Sequence, residues 1–294
     1  LTEAQMPRLV EGSEASGTLR PELAARWGLP AGVIVAGGGG DNAASAVGIG
    51  AVRPGEGFVS LGTSGVIFLT SDRFRPNPAS AMHAFCHALP GTWHQMSVML
   101  SAANGLSWVT RLVGAASEGA LLEQVACLSP EQRERAPLFL PYLNGERTPH
   151  NNPHAQGSFF GLTNEHDAAA LGWSVIEGVT FGLLDGWHAL GVQPGEVAGL
   201  TLVGGGARSG LWAQLLADAI GVPMVTRHGG EAGGALGAAR LAWLADGGTL
   251  DQVCPAPEIA ATFSPDPAET ARLAARHARF RALYRAVEGL FPVG

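Results

Sequence analysis

The sequence predicts an α/β fold, and three observations carry that expectation. Short apolar runs end in glycine clusters, stretches with helical spacing of apolar residues lie between them, and no short-period repeat is present. In order, residues 1–30 read as loop and short helix, with Pro21 to Arg26 as a proline-started turn. Val33-Ile34-Val35-Ala36 reads as a short buried strand, followed by Gly37 to Gly40, and Asp41-Asn42 opens a small-residue helix from Ala43 to Ile49. Phe58 to Leu61 and Val66 to Leu69 are two strands joined by Gly62-Thr63-Ser64-Gly65, which is hairpin punctuation. Helical periodicity then covers 98–113 and 117–127. Behind an Asp167 cap, Leu171, Val175, Ile176, Val179, Leu183, Trp187 and Leu190 form a helical stripe. Leu200 to Val203 is a strand that runs into Gly204-Gly205-Gly206 and a helix bearing Leu211, Leu215, Leu216 and Ala219. Pro223 to Thr226 is another strand, 231–246 another helix, and 267–291 a last helix with Leu273, His277, Phe280, Tyr284, Val287 and Phe291 on one face.

Composition narrows the function classes. A chain of 294 residues, 46% hydrophobic and 15% charged, buries a substantial core in one large domain or two smaller ones, which excludes a disordered tail. Its apolar runs are interrupted well short of a membrane span, and Leu1 to Arg8 lacks the apolar core of a signal peptide, so a soluble, cytoplasmic protein without a membrane partner is expected. A net charge of −7 with no basic run argues against a nucleic-acid partner. Cys86, Cys127 and Cys254 are scattered, which suits a reducing compartment. All 18 basic residues are arginine. Without lysine there is no Walker A loop, no protein-kinase strand lysine and no pyridoxal phosphate Schiff base, so nucleotide chemistry here must use backbone amides and arginine. The chain opens on Leu rather than Met, as an excised piece would.

Three turns share one design, a strand feeding a glycine-rich bend. Glycine lets a phosphate come close to amide N–H groups, although a glycine cluster after a strand is more often plain punctuation. Gly38-Gly39-Gly40-Asp41-Asn42-Ala43 fits G-x-G-x-x-A, but a dinucleotide site needs an acidic residue closing the second strand, and Glu56 precedes that strand instead. Neither Ser64 nor Ser209 fits G-x-S-x-G, which removes a serine hydrolase. Asp41 has two readings, a helix N-cap or a general base held by glycines against a substrate hydroxyl. His83, Cys86 and His87 do not converge in a strand, and His150 and His154 lie in loop composition, so no metal ligand is assigned.

As a set these motifs resemble the FGGY carbohydrate kinases. Gly38 to Ala44 is similar to the segment bearing that family's catalytic Asp, and Ser60 to Gly65 to its second phosphate loop. Gly204 to Ser209 is similar to its adenosine motif, and Gly157 to Leu162, running through Glu177, to its C-terminal signature, with Ala170 where a polar residue is usual. His83 to Ala88, Trp93 to Met96 and Phe139 to His150 narrow the likeness to kinases acting on xylulose. Glu146 and Arg147, inside the last stretch, read equally as a loop salt bridge or as site residues.

The resemblance implies an actin-like, ribonuclease-H-like kinase fold in two domains. Residues 1–46 would be the tail of the first domain and the hinge, 47–245 the C-terminal FGGY domain, and 246–294 a helical appendage. It implies ATP and Mg²⁺ as cofactors and phosphorylation of D-xylulose to the 5-phosphate. Asp41 would be the base, Asn42 a sugar contact, Gly62, Thr63 and Ser64 the phosphate turn, and Gly205, Gly206 and Ala207 the adenine border. Another substrate of the family (ribulose, gluconate or glycerol) and a nucleotide-binding domain without activity of its own stay open, as does self-association into a homodimer.

Overall fold

Gly37 to Gly40 divide the chain in two. Ahead of them, the computed structural model, which describes residues 2–230 and 233–292, has the antiparallel ribbon of β1 (Ala15–Thr18) and β2 (Ile34–Ala36), with helix α1 (Pro21–Trp27) between. The strand expected near Val33 to Ala36 thus forms as β2, but it is not buried: Val35 and all of β1 are exposed. A two-stranded ribbon has no second layer of its own to bury an apolar side against.

Beyond the glycines come α2 (Asp41–Ile49), β3 (Gly57–Leu61), β4 (Gly65–Ser71), β5 (His83–Cys86) and β6 (Trp93–Met99). Then follow α3 (Ala103–Leu112), α4 (Glu118–Ala126), α5 (Pro130–Arg135), β7 (Leu138–Leu140), β8 (Ser158–Phe160) and the long α6 (Ala168–Leu190). The chain closes with β9 (Leu200–Val203), α7 (Gly210–Ile220), β10 (Met224–Arg227), α8 (Gly233–Ala245), α9 (Leu250–Val253), β11 (Ile259–Phe263) and α10 (Pro267–Val287). Two expected boundaries move. Val98 and Met99 extend β6, so the helix expected from 98 starts at Ala103, and α10 ends at Val287 before a single 3₁₀ turn, Glu288–Leu290. The expected start of the helix at 231–246 lies outside the described residues, and α8 supplies the rest.

The main sheet has the order β11-β10-β9-β3-β4-β6-β5, with β10, β9 and β3 parallel and the other pairings antiparallel. Alternation along each strand covers both faces. Phe58 and Phe68 stack on each other, centroids 5.1 Å apart, on the α2 side. Val59, Leu61, Ile67 and Leu69 face the larger core built from α3, α4, α6, α7 and α10. By length and composition α6 would cross a membrane, but it is buried inside the protein, capped by Asp167, whose Oδ1 accepts the Ala170 amide at 2.9 Å.

The stretch 246–294, expected as a helical appendage, contributes the edge strand β11 and a core helix. Leu273, Phe280, Leu283 and Tyr284 of α10 sit in the main core. Arg276 is buried there and donates to Glu177 of α6 at 2.7 and 2.6 Å, and to the carbonyls of Glu134 and Ala136. Sequence periodicity finds the apolar face of α10 but not this polar anchor, whose partner lies 99 residues away.

Candidate active site

Gly40, with extended ψ of 155°, takes the cap position of α2. That moves Asp41 into the first helical turn, so it is not the N-cap that one reading of the sequence expected. Its Oδ1 accepts the Asn42 amide at 2.8 Å and Asn42 Nδ2 at 3.2 Å, and the carboxylate is exposed, at the end of the helix that favours negative charge.

The Gly62–Ser64 turn joins β3 to β4 and hangs from the start of α3. The Ala102 amide donates to Thr63 O at 3.0 Å and the Ala103 amide to Gly62 O at 2.8 Å. Among the described residues, the amides of Gly62, Thr63 and Ser64 donate to no protein group, and neither do those of Gly204, Gly205 and Gly206. The second turn lies against the first because it has no side chains. A Cβ on Gly204 would meet the Leu61 carbonyl carbon at 2.7 Å, and one on Gly206 would meet Leu61 Cβ at 2.8 Å, whereas Gly205 opens onto empty space.

A cavity of about 630 Å³ is bordered by Gly62 and Thr63 on one side and Gly205 on the other. A second, of about 670 Å³, shares Ala103, Ser107 and Gly205 with it and reaches Gly206. A third, of about 460 Å³, lies over Ser45 of α2 and Ser60 of β3 and is bordered by Gly205 and Ala207. The structure therefore brings the two turns together. Ser64, Asp41 and Asn42 line none of these three cavities.

Sequence reasoning missed the other wall of the first cavity. Asn104, Trp108 and Arg111 of α3 line it, with Asn144 from the loop after β7. Trp108 is stacked on Phe139, centroids 5.6 Å apart, and buried Asn104 Oδ1 has no partner among the described residues. These positions read in the sequence as an ordinary amphipathic stripe. The signal available was Ser101-Ala102-Ala103-Asn104-Gly105, a further run of small residues between a strand and a helix.

The histidines of β5 and β6 and the loop between them pack against aromatic rings. His94 stacks on Phe68 at 4.4 Å, and burial lowers His87 and His94 to about 4. Asp185, His188 and His277 bring ligand atoms within 4.8 Å of one another, unforeseen from sequence, but Arg281 Nε already lies 3.5 Å from Asp185 Oδ1, so the group acts as a polar tie between α6 and α10.

Two turns with unspent amides, of which Gly62, Thr63 and Gly205 border one cavity, suit a ligand with several acceptor-only oxygens, such as a polyphosphate. The profile of the C-terminal domain of the FGGY family of carbohydrate kinases matches residues 57–245, and that of the N-terminal domain matches residues 1–48. The chain belongs to this family. It is 48% identical over 290 residues to the xylulose kinase of Escherichia coli K12, covering 97% of this chain and 59% of that protein. It is 51% identical over 248 residues to the xylulose kinase of Klebsiella pneumoniae, covering 83% of this chain and 50% of the relative. Among solved structures, a xyloylose kinase from Brucella ovis superposes with a TM-score of 0.92 at 49% identity, over 99% of this chain and 60% of that one. The chain thus spans between half and three fifths of the length of these FGGY proteins. The mixed sheet and flanking helices are the actin-like, ribonuclease-H-like arrangement that the resemblance implied.

Proposed function

We propose that this chain is the C-terminal part of an ATP-dependent xylulose kinase that forms D-xylulose 5-phosphate, with residues 1–46 serving as the tail of a sugar-holding domain and its hinge. The observation that carries the nucleotide half of this reading is the pair of glycine turns with free amides that meet at one cavity through Gly62, Thr63 and Gly205. Identity to proteins named xylulose kinase supports the choice of sugar.

In this reading the amides of Gly62, Thr63 and Ser64 donate to the oxygens of the transferring phosphoryl group, and Gly205, Gly206 and Ala207 border the adenosine. Asp41 takes the proton of the terminal hydroxyl, and Asn42 helps to hold the sugar. When bound with the nucleotide, Mg²⁺ neutralises charge on the phosphates; no residue of this chain is assigned to it. The testing experiment is ADP release across a panel of pentuloses, polyols and aldonates. Turnover confined to D-xylulose supports the reading. Preference for ribulose, glycerol or gluconate moves the chain to another substrate, and no turnover with retained ATP binding leaves a nucleotide-binding domain alone.

Gly62 offers a sharper test of the turn. A Cβ there would meet nothing closer than Ser64 O at 3.4 Å, so the backbone has room for a side chain at this position and Gly62→Val is expected to fold. The branched side chain nevertheless stands where a phosphate must approach the amides. Calorimetry is expected to show ATP affinity reduced by about tenfold or more, the scale of one lost charge-assisted hydrogen bond. Unchanged affinity would reduce the turn to a hairpin.

A further inference from the structure

Glu146 is the one strongly buried acid in the loop between β7 and β8, and its sequence context allows either a salt bridge with Arg147 or a site role. The structure removes the first option, because its carboxylate is tied to backbone. Glu146 Oε1 accepts the Leu100 amide at 3.0 Å and the Arg147 amide at 2.7 Å, and no Glu146–Arg147 ion pair forms among the described residues. Glu146 Oε2 is buried without a partner, so the side chain is costly to keep there for stability alone.

What the carboxylate holds is informative. Leu100 is the link between β6 and α3, and two and three residues later Ala102 and Ala103 donate to Thr63 O and Gly62 O. Asn144, two residues before Glu146, donates from Nδ2 to Ser101 Oγ at 3.0 Å and itself lines the cavity with Gly62 and Thr63. One loop therefore grips the segment 100–103 at two points, and that segment grips the turn at two more.

We propose that Glu146 is a positioning residue for the phosphate turn: through Leu100 it fixes the segment 100–103 that holds Gly62 and Thr63 in register with a bound polyphosphate. This rests on the nucleotide reading above. Burial pushes the Glu146 carboxyl up to about 7, but its accepting oxygen is present whether or not the group is protonated, so a glutamine amide reproduces it.

The experiment is calorimetric titration of the chain with ATP in Mg²⁺ and, separately, with adenosine, which lacks the phosphates. Glu146→Ala is expected to weaken ATP by about tenfold, the loss of roughly one hydrogen bond to a charged group, and adenosine by less than about twofold. Glu146→Gln should restore ATP affinity to within about threefold of the unmodified chain. Should the alanine variant not fold, Glu146→Asp carries the test: it keeps the carboxyl, shortens its reach by one methylene, and should again weaken ATP selectively. Equal loss of ATP and adenosine, or unchanged binding of both, would overturn the proposal. If the unmodified chain binds no ATP, the nucleotide reading itself falls and this inference with it.

Discussion

In a form of this protein competent for phosphoryl transfer, Asp41→Asn is expected to lower kcat by at least about a hundredfold, the scale of losing a general base, with ATP affinity little changed. The substitution is close to isosteric. Asparagine keeps an oxygen that can accept the Asn42 amide, as Asp41 Oδ1 does at 2.8 Å, so the start of α2 survives. What disappears is the ability to take a proton. Because Gly40 occupies the cap position, only Oδ1 is engaged among the described residues, with Asn42, and the carboxylate stands exposed at the first turn. Steady-state kinetics with saturating ATP and calorimetry on the same variant separate the two effects. A kcat near that of the unmodified protein would leave Asp41 as part of a helix start and nothing more.

The second large effect concerns stability. Arg276→Ala is expected to cost about 3–5 kcal/mol in urea unfolding, because it strands the Glu177 carboxylate in the core. Both side chains are about 2% exposed or less, and the guanidinium also serves the carbonyls of Glu134 and Ala136. Replacing both partners by apolar residues, Glu177→Leu with Arg276→Met, should recover much of that loss, since no charge is then left unpaired. A single variant within about 1 kcal/mol of the unmodified chain would mean that water reaches Glu177, and that the ion pair contributes no more than a surface pair.

Much of the fold was legible because glycine clusters mark the ends of its strands. Leu200–Val203 forms at the expected residues, and the helix beginning after Gly40 follows from four glycines and then Asp41. The Gly62 and Gly205 turns were legible for the same reason, since each is a run of small residues that ends a strand. Sites built from side chains on distant elements were not. Trp108 and Arg111 occupy positions that any amphipathic helix fills with such residues, and only the fold reveals that they face Gly62 across a cavity. Glu146 looked like half of an ion pair because its neighbour in sequence is Arg147, whereas the groups it holds are amides, which sequence does not distinguish. The exposure of β2 was misread because an apolar run reports what a strand prefers to touch, not whether a layer is there to touch it.

Helices α2 and α8 meet backbone to backbone. A Cβ on Gly48 would overlap the Gly233 carbonyl, and one on Gly237 would overlap that of Ala44. Arg240 of α8 then donates to the carbonyls of Val47 and Gly48 at 2.9 and 2.8 Å, fastening the far end of α2. Mechanically this is a keyed shaft. A helix whose main chain meets its neighbour's at Gly48 and Gly237 has little slack to roll or slide, because displacement there drives carbonyl oxygen into main chain. Asp41 stands at the free tip of that shaft, so its position is indexed from the middle of the helix rather than from the exposed glycines before it. Among the described glycines the closest approaches thus belong to Gly48 and Gly237, which line none of the three cavities, and methyl-sized changes at either would misalign the tip.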